Sequence, residues 1–525
     1  MAESGFWTRA RSLAKGHWEE LDVALERWST RHGWPICVPV AVLLLVLLTP
    51  AAMVAAVKPL WHDEIYGVLI SRFGSFSRIW TALESGVDLQ PPLYHLVTHA
   101  AEFVLGQSEL ADRLPSLVGF WLAALCLFRF VSVHAGAAFG MIAAVFPLAI
   151  DANRYAWEAR PYGLLLACTG LALVSWQTAT ARRRRGLGLV GLWLSLSLAT
   201  CVHYYAVLLF VPFVVGEAVR TYRRRQTDWP VWISLMLTMP VVTVFLPLIR
   251  GAMASQGAHP WNAARLDKVL EPYSDFLQGS WLPLAVVLAL ALLLTRVDRP
   301  TGSAVSRSGP PAHEVAAAIG LTSLPVVGYL IAVAGPNMMT RRYFLPLVLG
   351  FAILFAWWLW RVTGARAWIA FAVTIVLALS SFGSTVRSFN AIRSAQDPKA
   401  LGAMPIPADL AALPVVVSPS RPFLECWFYA PSDLQQRLVY VADVDAALRI
   451  RGTDASERSI TNAARFFGFQ LEPIESFRAT HTRFLIYSPN GSAGYVLPGY
   501  VRAGARVELV GLKGRSLLFL VTAPG

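Results

Sequence analysis

Two adjacent acids, Asp63 and Glu64, stand in WHDEIYGVLI (Trp61 to Ile70), just behind a long apolar run, Val38 to Val57. Two adjacent guanidinium groups, Arg341 and Arg342, stand much later, in NMMTRRYFLP (Asn337 to Pro346). A positioned carboxylate can take a proton from an attacking hydroxyl, and Arg offers a planar fork of donors that fits phosphate oxygens. The structural alternatives are that Asp63 caps a short helix and that the two arginines anchor a loop to lipid headgroups. Between them lie Glu158, Arg160 and Tyr162 in NRYAWEARPYGL, Gln90 ahead of Pro91-Pro92, and His203-Tyr204-Tyr205. Arg160 either joins Arg341 and Arg342 or pairs with Glu158 as scaffolding. His95 and His99 are four apart and would share a helix face, as metal ligands can, but no HExxH acid lies between them and no metal site is assigned. An Asp at a membrane edge loses hydration, which is expected to raise its basicity.

The elements that carry these residues must be membrane helices. Of 525 residues 56% are hydrophobic and 15% charged, too apolar for one or two soluble domains. A hydrocarbon core of about 30 Å needs roughly 20 apolar residues per helix. Eleven spans are expected, at 35–57, 113–132, 135–151, 161–180, 187–202, 205–220, 230–249, 281–296, 315–334, 343–360 and 367–385. With this count the clusters Arg182 to Arg185, Arg220 with Arg223 to Arg225, Arg296 with Arg299 and Arg307, and Arg361 with Arg366 all share one side, which the positive-inside rule makes cytoplasmic. Gln90 to Gly106 is too short and polar to cross, and reads as a helix on the outer surface. The loop 250–280 reads as a second surface helix, with Leu266, Val269, Leu270, Tyr273 and Leu277 at helical spacing.

Three parts follow: a cytoplasmic segment 1–34, a transmembrane catalytic part 35–385, and an extracytoplasmic α/β domain 386–525 with strand-like runs at 415–418, 437–443, 482–488 and 506–521. The first span lacks a cleavage site and reads as an uncleaved anchor. The net charge of +13 comes largely from the cytoplasmic arginines, which face anionic lipid; no nucleic acid partner is implied. Five cysteines show no disulfide or metal spacing.

The order DE, PPLYHL, ADRLPSLVGF (Ala111 to Phe120), WEARPYGLL and RRYFLP resembles the GT-C membrane glycosyltransferases. Within that class it is similar to glycosyltransferase family 39, the branch of the protein mannosyltransferases and aminoarabinose transferases. The resemblance covers about 1–385. It implies a GT-C fold and inverting transfer of one sugar, hexose or pentose, from a polyprenyl-phosphate donor to a cell-envelope glycan, lipid or protein at the outer face of the cytoplasmic membrane. By it, Asp63 is the base, Glu64 its orienting neighbour and Glu158 the second-loop acid. From their own chemistry, Arg341, Arg342 and Arg160 are the candidates to hold the donor phosphate, and Tyr162, His203, Tyr204, Gln90 and His95 those to line the substrate site, with the aromatic belt as the alternative for His203 and Tyr204. No cofactor is assigned, and a divalent cation is left open. Gln90 departs from the acid or His often found before the two prolines in relatives. A lipid-linked sugar flippase would need charged or broken midspan helices in two related halves, which are not found. A non-catalytic envelope assembly protein would leave the outer acids without work.

Overall fold

The computed structural model describes residues 34–278, 284–285, 287, 289 and 309–523, except 182, 336, 395–399, 405 and 490–493. The expected segment 1–34 therefore lies, but for Trp34, outside the described residues. So does the expected span 281–296, apart from four positions.

The membrane part opens with α1 (Trp34–Val57), then three short helices, α2 (His62–Ser71), α3 (Phe76–Glu84) and α4 (Pro92–Leu105). Long helices follow: α5 (Glu109–Ala135), α6 (Ala137–Ala149), α7 (Tyr162–Thr180), α8 (Arg185–Val202) and α9 (Phe210–Arg224). Next come α10 (Trp229–Met236), α11 (Met239–Val244), α12 (Leu246–Gln256), α13 (Glu271–Leu277), α14 (Ala312–Thr322), α15 (Leu324–Ala334), α16 (Leu347–Val362) and α17 (Ala367–Ser394). Among the described residues six helices are long and apolar enough to cross a bilayer, and three bent pairs pass the same test together. The expected spans thus resolve into those six, the pairs 137–157, 229–256 and 312–334, and the shorter apolar α16, with 281–296 undescribed. Two of the bends are punctuated by Pro247 and Pro325, each in the first turn after the break, where a missing N–H costs nothing. Helix α1 buries Ile36, Val40, Leu44, Leu48, Ala51 and Val54 along one stripe and leaves Val38, Leu45 and Val46 exposed, as a helix at the rim of a membrane bundle does.

Helices α5 and α7 touch at Gly119 and Gly163. A β-carbon at Gly119 would sit 2.3 Å from the Gly163 carbonyl, so only glycine permits the approach. This contact matters for the site, because Ser116 Oγ then donates to the Arg160 carbonyl at 2.6 Å and fixes the loop ahead of α7.

At the far end of the bundle Arg220 pairs with Glu217 at 2.7 Å and with Asp228 at 2.9 Å, while Arg185 also meets Asp228. Helix α8 has 18 residues and spans about 27 Å, so this arginine-rich end lies a membrane thickness from His203, at its other terminus.

Residues 400–523 form an α/β domain. A six-stranded sheet has the order β3-β2-β1-β4-β6-β5. Strands β1 (Val415–Val417), β2 (Leu438–Ala442), β3 (Gln470–Pro473) and β4 (Arg483–Ser488) are parallel; β5 (Arg506–Lys513) and β6 (Ser516–Thr522) form an antiparallel hairpin turned at Gly514, whose φ is +60°. The helices are α18 (Ser420–Tyr429), α19 (Ser432–Gln435), α20 (Val444–Arg451), α21 (Ala455–Phe467), α22 (Ile474–Thr480) and α23 (Val496–Arg502). Strand β1 leads away to β2 on one side and adjoins β4 on the other, so its carboxyl end is a switch point of the kind where open sheets bind ligands. This end is turned toward the membrane part. Tyr429 Oη accepts from Leu60 N at 2.7 Å, Asn462 donates to the Ser85 carbonyl at 2.9 Å, and Phe73 stacks on Phe467. One apolar cluster runs from Ile65, Ile79 and Leu248 into Phe423, Leu424 and Ile460.

Candidate active site

Asp63 and Arg342 meet. Nη1 of Arg342 lies 2.6 Å from Oδ2 of Asp63, and Nδ1 of His62 lies 3.1 Å from Oδ1. Asp63 lines one cavity, and Arg342 lines that cavity and a second. The first, of about 250 Å³, is lined by His62, Asp63, Asp88, Gln90, Arg160 and Tyr343 of the membrane part and closed over by Ser420, Arg421, Arg451, Ser456 and Ser459 of the α/β domain. The second, of about 340 Å³, is lined by Arg154, Glu158, Lys268, Glu271, Arg341 and Arg342. Four cations and two acids line this second cavity, and two of the cations, Arg342 and Arg341, are each held by an aspartate, Asp63 and Asp275, whose place an anion could take.

Helix α2 begins on Trp61, and the capping falls to Glu64, whose Oε2 accepts from Trp61 N at 3.1 Å. Asp63, the expected cap in the structural alternative, is instead aimed at Arg342. Glu64 turns the other way and is fully buried. Its carboxylate takes Nε and Nη2 of Arg113 at 2.9 and 2.8 Å and the Ala159 N–H at 2.6 Å. It lines neither cavity and serves to hold α2, α5 and the second loop together. Burial opposes its charge, but Arg113 and Lys58 outweigh that and lower its pKa to about 2.

Arg160 does not pair with Glu158. Its Nη1 donates to both oxygens of Asp88 at 3.2 Å and to the Asp63 main-chain carbonyl at 2.8 Å. His95 is fully buried behind Asp88, with Nε2 at 3.7 Å from the carboxylate and Nδ1 against the Gly67 carbonyl, whereas His99 is exposed; the two do not share an environment. Among the described residues no three His, Cys, Asp or Glu side chains are grouped as cation ligands.

The twin arginines diverge. They open a 3-10 turn, Arg341–Phe344, in which neighbours point about 120° apart. Arg341 pairs with Asp275 and faces only the second cavity, while Arg342 faces both. Tyr162, His203 and Tyr205 pack behind Tyr343, and Tyr204 Oη donates to the Gln90 carbonyl at 3.3 Å. Tyr162, His203 and Tyr204 back the wall of the first cavity, whereas Gln90 is in it, with a buried Oε1 that has no hydrogen-bond partner.

The expected rise in the basicity of Asp63 is not what the site produces. Burial does push the carboxyl up, but Arg342, the His62 hydrogen bond and Arg160 together hold it far below the usual carboxylate range. Glu158, which lacks such a partner, is raised by burial.

Loop 250–280 is not one surface helix. It runs from α12 through an irregular stretch to a 3-10 turn at Leu266–Val269 and then α13, broken by Gly257 and Pro260, and it carries Trp261, Lys268, Glu271 and Asp275 to the site. Asp88, Arg113, Trp261 and the residues that close over the first cavity were not singled out from sequence. The available signals were Asp88 two positions before Gln90-Pro91-Pro92 and Arg113 inside ADRLP.

No protein-family model matches the sequence, and no curated protein matches it. Solved structures do match in fold. The crystal structure of ArnT from Cupriavidus metallidurans bound to undecaprenyl phosphate aligns with a TM-score of 0.54 at 15% identity, covering 91% of this chain and 97% of that one. The apo state of the same protein aligns at 0.57 and 13% identity over the same shares. The chain therefore has the ArnT-like GT-C fold that its motifs resemble: a multi-pass membrane bundle followed by an α/β domain.

Proposed function

We propose that this protein is an inverting glycosyltransferase that moves one sugar from a polyprenyl-phosphate donor to a cell-envelope acceptor. The observation that carries the reading is Asp63, in a cavity closed over by the α/β domain, paired with Arg342, which also lines the second cavity beside Arg341, Arg154 and Lys268. That a protein of the same fold is bound to undecaprenyl phosphate supports the donor class. The site stands at the end of the bundle away from the arginine clusters, which supports a multi-pass place in the cytoplasmic membrane with N-terminus inside and the α/β domain outside.

The donor phosphate lies in the second cavity against Arg342, with Arg341, Arg154 and Lys268 around it, and Arg160 acts on the Asp63 side. The acceptor hydroxyl enters the first cavity. Its oxygen bonds to the anomeric carbon as the carbon–oxygen bond to phosphate breaks; its proton passes to Asp63, and the polyprenyl phosphate leaves with the electron pair, its growing charge met by the guanidinium groups. The base stands on one side and the phosphate clamp on the other, so displacement is direct and configuration inverts.

The depressed basicity of Asp63 belongs to the protein without donor. When phosphate oxygens compete for Arg342, the carboxylate loses its strongest partner and becomes a better base. This splits the pH profiles. A carboxylate base works when deprotonated, so activity falls as pH drops through its pKa. In kcat/KM, which reports the free protein, no acid limb from Asp63 is expected down to about pH 4, the ordinary Asp value, whereas kcat is expected to fall at higher pH. Coincident acid limbs in both would argue against the exchange of partners.

The divalent cation that the resemblance leaves open fits this site poorly, because Asp63 and Asp88 are each engaged by arginine. The direct test is purified protein in detergent with radiolabelled polyprenyl-phosphate sugars and envelope extracts. Transfer of label with inverted configuration, undiminished by EDTA, is expected. Retention of configuration, or transfer only across an energised membrane, would sink the reading.

A further inference from the structure

Of the residues lining the two cavities, Trp261 and Arg342 alone are common to both. Trp261 is 50% exposed, large for an indole inside a site, and its ring centre is 6.0 Å from the Arg342 guanidinium. Trp61 flanks Arg342 at the same 6.0 Å, but it is also covered by Arg421 at 5.5 Å, so it has cations as neighbours twice where Trp261 has one.

The loop that carries Trp261 is tied down immediately after it. Met339 N donates to the Asn262 carbonyl at 2.7 Å, Ala264 N donates to the Asn337 carbonyl at 3.2 Å, and Ala263 pairs with Met338 as an antiparallel bridge. The segment holding Trp261 and the segment leading into Arg342 therefore keep one register. An irregular loop would otherwise place an indole loosely; this ladder fixes it beside the charge that receives the phosphate.

The chemistry of transfer calls for such a surface. A sugar ring leaving phosphate in one cavity for an oxygen in the other keeps its ring atoms nearly in place while its anomeric carbon changes partner, so whatever holds the ring must border both cavities. The carbon–hydrogen face of a pyranose or furanose is apolar and matches the face of an indole. We propose that Trp261 is the platform on which the transferred sugar lies, a subsite for the glycosyl ring distinct from the phosphate clamp; this rests on the glycosyltransferase reading above.

The experiment measures dissociation constants of the full-length protein for undecaprenyl phosphate and for its mannosyl, glucosyl and arabinosyl phosphodiesters. The wild type is expected to bind at least one glycosylated lipid more tightly than the bare one. Trp261→Ala is expected to erase about tenfold of that gain while leaving bare undecaprenyl phosphate within about twofold, and Trp261→Tyr to recover most of the gain. Equal weakening of bare and glycosylated lipids in Trp261→Ala would mean that the indole only supports Arg342, and would overturn the platform. A wild type with no preference for any glycosylated lipid would overturn it too. Wild type that binds no undecaprenyl phosphate at all would sink the donor assignment itself, a result distinguishable from both.

Discussion

Asp63→Asn is expected to cut kcat by about 10²- to 10⁴-fold, the usual worth of a general base, without raising KM for the donor. The amide keeps the size of the carboxylate and accepts a hydrogen bond from Arg342 through its oxygen, so the contact between them stands. It cannot take a proton. Arg342, no longer neutralised by Asp63, is also freer to hold phosphate, so donor binding is expected to stay or tighten. Activity within about tenfold of wild type would remove Asp63 from the reaction, since no general base is worth so little. A large rise in donor KM with kcat preserved would instead assign Asp63 to binding.

The second large effect is structural. Arg113 and Glu64 are both fully buried and grip each other through two hydrogen bonds, and Arg113 also donates to the carbonyls of Ala55, Lys58 and Pro59. Replacing Arg113 with Leu leaves the buried Glu64 carboxylate with only Lys58 at 3.6 Å and two main-chain N–H groups, and deprives three carbonyls of their donor. The expected loss is about 3–5 kcal/mol, seen as a large fall in the midpoint of thermal unfolding in detergent. Glu64→Leu combined with Arg113→Leu is expected to recover part of the loss. The recovery is partial because the Trp61 and Ala159 N–H groups lose their acceptor, about 1–3 kcal/mol each. An Arg113→Leu protein that unfolds with the wild type would show that the pair is not what fastens α2 to α5.

The contrast between these two neighbours explains how far the sequence could be read. Asp63 and Glu64 are adjacent acids with equal claims in the primary structure, yet a helix turns consecutive side chains about 100° apart, and this rotation sends one to a cavity and the other into the protein. The same holds for Arg341 and Arg342. The apolar runs were legible because crossing a bilayer imposes a length and a composition on every span. The strand-like runs of the α/β domain were legible except β3, whose four residues, Gln470–Pro473, carry only one large apolar side chain. Asp88 and Trp261 were hidden for a different reason. Each lies in an irregular loop with no period, and its role depends on a partner far away in sequence, Arg160 for the first and Arg342 for the second. The lowered basicity of Asp63 was hidden likewise, since burial can be anticipated from a position beside the membrane while an opposing guanidinium cannot.

The switch-point end of β1 closes over the first cavity with side chains from Pro419, Ser420 and Arg421, joined by Arg451, Ser456 and Ser459. Residues at such loop and helix ends drift easily between relatives, because no helix packing in the bilayer depends on them. The chemistry and the lid above it are therefore free to diverge at different speeds.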